Sequence, residues 1–168
     1  MKLTKSKKEV IILPLITPGG KYIYGWLKVN SEGRMFVPEE TLEEYKIDKP
    51  SKVFIMSGSK TSKGFSILSN ELLHKYNSHI LRVIKKDQTL YNQEVDEYIL
   101  RDKGRIFSWV FLDNDNYISL SPKQIKEFQI QPEGYLLSIR SSNVAFVNIE
   151  VGPIVERAKK ATNIQIFE

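Results

Sequence analysis

Apolar positions fall in short runs separated by turn residues, and the spacing switches between strand and helix periods along the chain. Residues 10–16 form a dense aliphatic run that suits a buried strand, and Thr17-Pro18-Gly19-Gly20 is turn chemistry. Residues 22–29 return as an aromatic-rich strand, so the first two strands predict a hairpin. Asn30-Ser31-Glu32-Gly33 turns next, with Gly33 free to take a positive φ, and a short strand over 34–37 ends at Pro38. Pro38 or its successor opens a helix to about residue 46, because the N–H that proline lacks has no partner in a first helical turn. Glu39 and Glu40 sit in that turn, where the helix dipole favours negative charge, and Leu42 and Tyr45 share one face. A strand over 52–57, a loop over 57–64 and a strand over 65–68 follow. Ser69 or Asn70 then caps a helix over about 71–76.

The second half repeats this order. Strands over 95–100 and 105–112 make a hairpin across Asp102-Lys103-Gly104, and Asp113-Asn114-Asp115-Asn116 turns into a strand over 117–120. A helix over 122–128, strands over 135–140 and 144–151, and a helix from Pro153 to about residue 161 complete it. Residues 77–93 are the join, and pattern alone leaves 80–84 open between strand and helix. A shift of 83 lays residues 22–59 on 105–142 without a gap. Ile23 then meets Ile106, Trp26 meets Trp109, Glu44 meets Glu127, and the apolar class agrees at Leu27/Val110, Met35/Ile118, Val37/Leu120 and Val53/Leu136. Such a period marks an internal duplication. The expected fold is mainly β with short helices (α+β): a basic arm at 1–9, then tandem units at 10–84 and 85–168. Each unit is too small to bury much core alone, so the two are expected to share or pair their cores.

Composition adds three constraints. With 41% apolar and 27% charged residues in 168, the chain is of the soluble globular kind. It has no cysteine, which excludes disulfides and thiolate metal sites. No apolar run approaches the ~20 residues that span a bilayer. The run at 10–16 is short, holds Pro14 and follows Glu9, against a signal peptide, so the expected location is cytoplasmic with no membrane partner. Charge is uneven: residues 1–84 carry 14 Lys/Arg against 8 Asp/Glu, and residues 85–168 carry 11 against 12. Lys2, Lys5, Lys7 and Lys8 make the N-terminus basic, which suits nucleic acid or an anionic surface, or equally an ordinary solvated end.

The string Lys28-Val29-x-Ser31-x-Gly33-Arg34-x-x-Val37-Pro38-x-Glu40, followed by an apolar-spaced helix and Lys49-Pro50-Ser51-Lys52-Val53, resembles the AbrB/SpoVT-type swapped-hairpin family. That family includes transition-state regulators and the DNA-binding parts of MazE-like antitoxins. The resemblance covers about residues 26–56. The second copy keeps the shape and loses the letters: Asn116-Tyr117 stands for Gly-Arg and Ser121-Pro122 for the proline step, while Gly134 restores a turn glycine that Ser51 has replaced. The resemblance implies a small β-barrel of two motifs with exchanged hairpins, normally one from each of two chains. Here it implies an intrachain pseudo-dimer and leaves a homodimer open. It also implies a non-enzymatic, cofactor-free transcriptional regulator that binds double-stranded DNA.

Under that reading Lys28 and Arg34 are the phosphate or base contacts on one hairpin, Arg140 is a further DNA-contact candidate, and the arm residues Lys5, Lys7 and Lys8 are an electrostatic aid. Glu39, Glu40, Glu43 and Glu44 oppose it, since relatives that bind DNA often carry arginine on this helix, and Tyr117 replaces the second arginine. The competing reading is a protein-interaction or ligand-sensing module that has lost DNA binding, using the acidic helix and the helix after Gly152-Pro153. A continuous positive face holding Lys28, Arg34 and Arg140 separates the first from the second. Trp26 and Trp109 suit the core better than a stacking role. His74 and His79 lack a third ligand, and the serine-rich loop 57–64 lacks the order of a phosphate loop. The Asp113–Asn116 turn is too short for an EF-hand. No residue set supports catalysis.

Overall fold

The computed structural model describes residues 15–16, as backbone, and residues 21–168. The arm at 1–9, the turn at 17–20 and all but the end of the first expected strand lie outside the described residues. The first half contains β1 (Leu15–Ile16), β2 (Tyr22–Lys28), β3 (Arg34–Phe36), α1 (Glu39–Glu44), β4 (Ser51–Ser57), β5 (Phe65–Leu68) and α2 (Asn70–Lys75). Next come α3 (His79–Lys86), α4 (Gln88–Tyr91), β6 (Leu100–Asp102), β7 (Arg105–Leu112), β8 (Tyr117–Ser119) and α5 (Pro122–Glu127). The chain closes with β9 (Tyr135–Arg140), β10 (Ala145–Ile149), α6 (Pro153–Lys160) and β11 (Ile166–Phe167).

Residues 80–84 are helical, settling what the pattern leaves open. Ser78 accepts a hydrogen bond from the Ile80 N–H at the start of α3, and Leu81 and Ile84 point to the core. Of the strand expected over 95–100 only Leu100 is in a strand, as the first residue of β6, and side chains bind carbonyls of the residues before it. The Trp109 indole N–H donates to the Val95 carbonyl at 3.1 Å, and the Ser108 hydroxyl to the Tyr98 carbonyl at 2.6 Å.

The strands form one nearly closed, barrel-shaped sheet in the order β1-β2-β9-β10-β5-β4-β7-β8-β3, with β6 on β7 and β11 parallel to β2. Five ladders join a strand of the first half to one of the second: β2–β9, β4–β7, β5–β10 and β3–β8 are antiparallel, and the short β2–β11 is parallel. Their registers correspond. Leu27 faces Leu136 and Trp26 faces Leu137 in one ladder; Val110 faces Val53 and Trp109 faces Phe54 in another. In the β3–β8 ladder Met35 faces Ile118, the residue 83 positions on.

Burial follows from this pairing. Leu27, Val29, Met35, Val53, Ile55, Val110, Ile118 and Leu136 belong to one large apolar cluster drawn from both halves. At roughly 1.5–3 kcal/mol per fully buried aliphatic side chain, that cluster is the main stabilising term. A second, smaller cluster holds Ile23, Trp26, Leu137 and Ile139 with Val155 and Ala158 of α6 and Ile164. Both tryptophans are buried, as their place on apolar strands leads one to expect.

Two turns position the polar face. Asn30 Oδ1 accepts from the N–H groups of Glu32 and Arg34, and Asp113 Oδ1 accepts from those of Asp115 and Tyr117, each at 2.9 Å. Gly33 and Asn116 follow at φ 79° and 70°, the left-handed region that glycine and asparagine tolerate. At Gly33 a Cβ would lie 2.7 Å from the Leu120 carbonyl oxygen, so the close approach needs glycine too. No helix among the described residues is long and apolar enough to cross a membrane.

Candidate functional site

The Gly33-Arg34 turn lies where β3 meets β8. The Arg34 guanidinium sits 4.0 Å over the Tyr117 ring and 3.5 Å from the Asp113 carboxylate. Lys28, at the end of β2, donates to the Glu133 carbonyl at 2.7 Å and lies 4.6 Å over the Tyr135 ring. The places 83 positions on from Lys28, Asn30 and Arg34 are held by Phe111, Asp113 and Tyr117. Phe111 is 53% exposed, so this side of the barrel presents an apolar ring opposite the lysine's place. Glu32, Asp96 and Glu97 line a cavity of about 390 Å³ beside Phe111.

Arg140 is elsewhere. Lys28 faces Tyr135 at one end of the β2–β9 ladder, and Arg140 stands at the other, about 17 Å away at ~3.4 Å per residue. Of the expected contacts the structure therefore brings Lys28 and Arg34 to one end and separates Arg140 from both. Lys5, Lys7 and Lys8 lie outside the described residues.

Around Arg140 the structure assembles a cluster of tyrosines and carboxylates. Tyr22 and Tyr24 project from β2 with ring centroids 5.0 Å apart. Tyr22 donates to Glu40 and Tyr24 donates to Glu44, both on α1. The second oxygen of Glu44 takes Arg140 at 2.5 Å, and the guanidinium lies 4.7 Å over the Tyr22 ring. Burial, then the hydrogen bond to Glu40, pushes the Tyr22 phenol up to about 12. Burial and the Glu44 carboxylate push Tyr24 up as well, and burial raises Tyr45. All three phenols therefore stay neutral at ordinary pH.

The acidic helix is thereby tied to the barrel. Besides Glu40 and Glu44, Glu39 takes Lys49 at 2.7 Å and the Asn116 amide at 2.8 Å, and those two bonds hold its carboxyl below the usual range. Burial opposes this weakly. The helix after Gly152, α6, buries Val155 and Ala158 against the sheet.

Beside Arg140, the ends of α1 and α2 and the loop after β9 enclose a cavity of about 450 Å³, lined by Glu44, Tyr45, Lys46, Leu72, Lys75, Tyr76 and residues 140–143. Tyr45 anchors that loop by donating to the Ser142 carbonyl at 3.1 Å. A smaller cavity of about 170 Å³ includes Ser57, Gly58, Ser59, Lys60, Glu127, Phe128 and Gln129, each 83 positions from a residue of the first. Sequence reasoning names Arg140 and Glu44 separately, as a DNA contact and an obstacle to one. It misses that they pair, and misses Tyr22 and Tyr24. The signal is the alternation Tyr22-Ile23-Tyr24, which puts two phenols on one strand face. Comparisons with protein-family models, with curated proteins and with solved structures find no match.

Proposed function

We propose that this chain is an internally duplicated, AbrB-like swapped-hairpin barrel that acts as a non-enzymatic ligand-binding or interaction module and has lost symmetric DNA reading. Support for the duplication is the common offset of 83 in the ladder registers and in the two Asx turns. One observation carries the functional half. Where the first copy has Lys28, Asn30 and Arg34, the second has Phe111, Asp113 and Tyr117, and Asp113 pairs with Arg34 itself. A duplex laid symmetrically across such a face would meet two cations on one side and a carboxylate on the other.

The test is duplex binding by the full chain at low ionic strength, followed by fluorescence anisotropy across a salt series. The reading expects no binding beyond the weak, sequence-blind attraction of a basic chain, and no change with Arg34→Ala. Tight binding that falls steeply with salt and weakens about tenfold in Arg34→Ala overturns it.

A second reading, DNA binding through one half alone, draws on Lys28, which touches a neutral carbonyl and a ring. It expects that same tight, Arg34-dependent result, so one experiment separates the two.

A further inference from the structure

The two cavities 83 positions apart offer a comparison within one molecule. In the smaller, the places of Tyr45, Lys46 and Arg140 are taken by Phe128, Gln129 and Ser57, and the corresponding carboxylate, Glu127, pairs with Arg101 from β6. Lys46, Lys75 and Arg140 line the larger and Lys60 and Lys63 the smaller, and the larger has nearly three times the space, about 450 Å³ against about 170 Å³. Its single lining carboxylate is already engaged at both oxygens, by Tyr24 and Arg140. No carboxylate among the described residues lies within ion-pair distance of Lys46 or Lys75; Lys75 only lies 5.4 Å over the Tyr76 ring. Lys46, Lys75 and Arg140 thus line one concave surface whose single carboxylate is already paired.

We propose that the larger cavity binds a small organic anion, a phosphate- or carboxylate-bearing ligand, through Lys46, Lys75 and the polar loop at 141–143. Arg140 is the positioning residue: held by Glu44 and stacked on Tyr22, it fixes the end of β9 from which the loop springs. The half-exposed Tyr76 ring supplies a flat wall for the ligand's apolar part. The volume is of the size that small-molecule sites have, ~300–1,000 Å³. Lys46 takes a left-handed backbone at φ 53°, and Gln129 takes the same one at φ 55°, so a glutamine at position 46 keeps the turn.

The inference rests on the reading of the chain as a binding module, but fails separately from it. Duplex DNA binding overturns that reading and does not bear on this cavity. The experiment is an amide NMR titration of the full chain with pyrophosphate, adenosine monophosphate and citrate in separate arms. Saturable shifts at residues 46, 75 and 141–143 in any arm are expected. Binding is expected to weaken about tenfold or more in Lys46→Gln/Lys75→Gln, because charge-assisted contacts are the strong ones. Lys60→Gln, in the smaller cavity, is expected to leave it unchanged. Response to the two phosphate ligands alone identifies phosphate as the recognised group; response to citrate alone identifies carboxylate. No saturable shift in any arm overturns the proposal, as does binding that the double variant leaves intact.

Discussion

The Arg34 guanidinium lies 4.0 Å over the ring of Tyr117, the residue 83 positions further along the chain. The arginine of the Gly33-Arg34 turn is thus stacked on the residue at the same offset in the other half. Asp113, which closes the neighbouring turn, supplies the counter-charge at 3.5 Å.

Reversing that asymmetry should create what the natural chain is proposed to lack. In Tyr117→Arg/Asp113→Asn both turns carry arginine and neither carries the opposing carboxylate. The variant is expected to bind duplex DNA more tightly than the parent. Its log–log salt slope should steepen by about one for each additional phosphate neutralised. Anisotropy across a salt series reads both. An unchanged slope means the face fails for reasons other than these two residues.

Much of the fold is legible in the sequence because local rules decide it. Strands β5, β7 and β9 begin and end where alternation and turn residues put them, and Pro122 starts α5 as an N1 proline should. What is not legible depends on distant partners. Residues 95–99 look like a strand, yet Trp109 and Ser108 bind their carbonyls through side chains, and no local pattern announces that. Strand β11 has only two residues and exists through its parallel pairing with Trp26 and Leu27. At the candidate site the charges are visible but their pairing is not: Glu44 and Arg140 are 96 residues apart and meet only because β2 runs beside β9.

Gly33→Ala tests the turn. Alanine would have to hold φ near 79° and place its Cβ 2.7 Å from the Leu120 carbonyl oxygen and 2.5 Å from Ile125 Cδ1. Strain of this kind costs about 1–3 kcal/mol, which for a chain of this size lowers Tm by roughly 2–10 °C. Thermal unfolding followed by circular dichroism measures it. A Tm within a degree of the parent means the turn relaxes around the methyl group.

Ser138 predicts a gain. It is fully buried, its hydroxyl has no hydrogen-bond partner, and it faces Asn148, whose amide is also unpartnered. The matching place in the first half is the apolar Ile55. Burying an unpaired hydroxyl costs about 1–3 kcal/mol. Ser138→Ala is therefore expected to raise Tm by a few degrees in the same measurement. A fall in Tm means the hydroxyl contributes favourably in the folded barrel.

The tyrosine–carboxylate contacts predict how stability responds to alkali. Burial first, and the hydrogen bond to Glu40 second, push the Tyr22 phenol up from 10 to about 12; burial and Glu44 push Tyr24 upward as well. A folded-state value above the unfolded one means that folding favours the neutral phenol. That contribution is complete below pH 10 and is lost as pH rises toward 12. Tyr24→Phe removes the hydroxyl, its bond to Glu44 and this titration together. The variant should be less stable than the parent at pH 8, and the gap should narrow between pH 10 and 12. Urea unfolding midpoints over that range measure the gap. One that stays constant through pH 12 places the Tyr24 phenol outside the stability linkage.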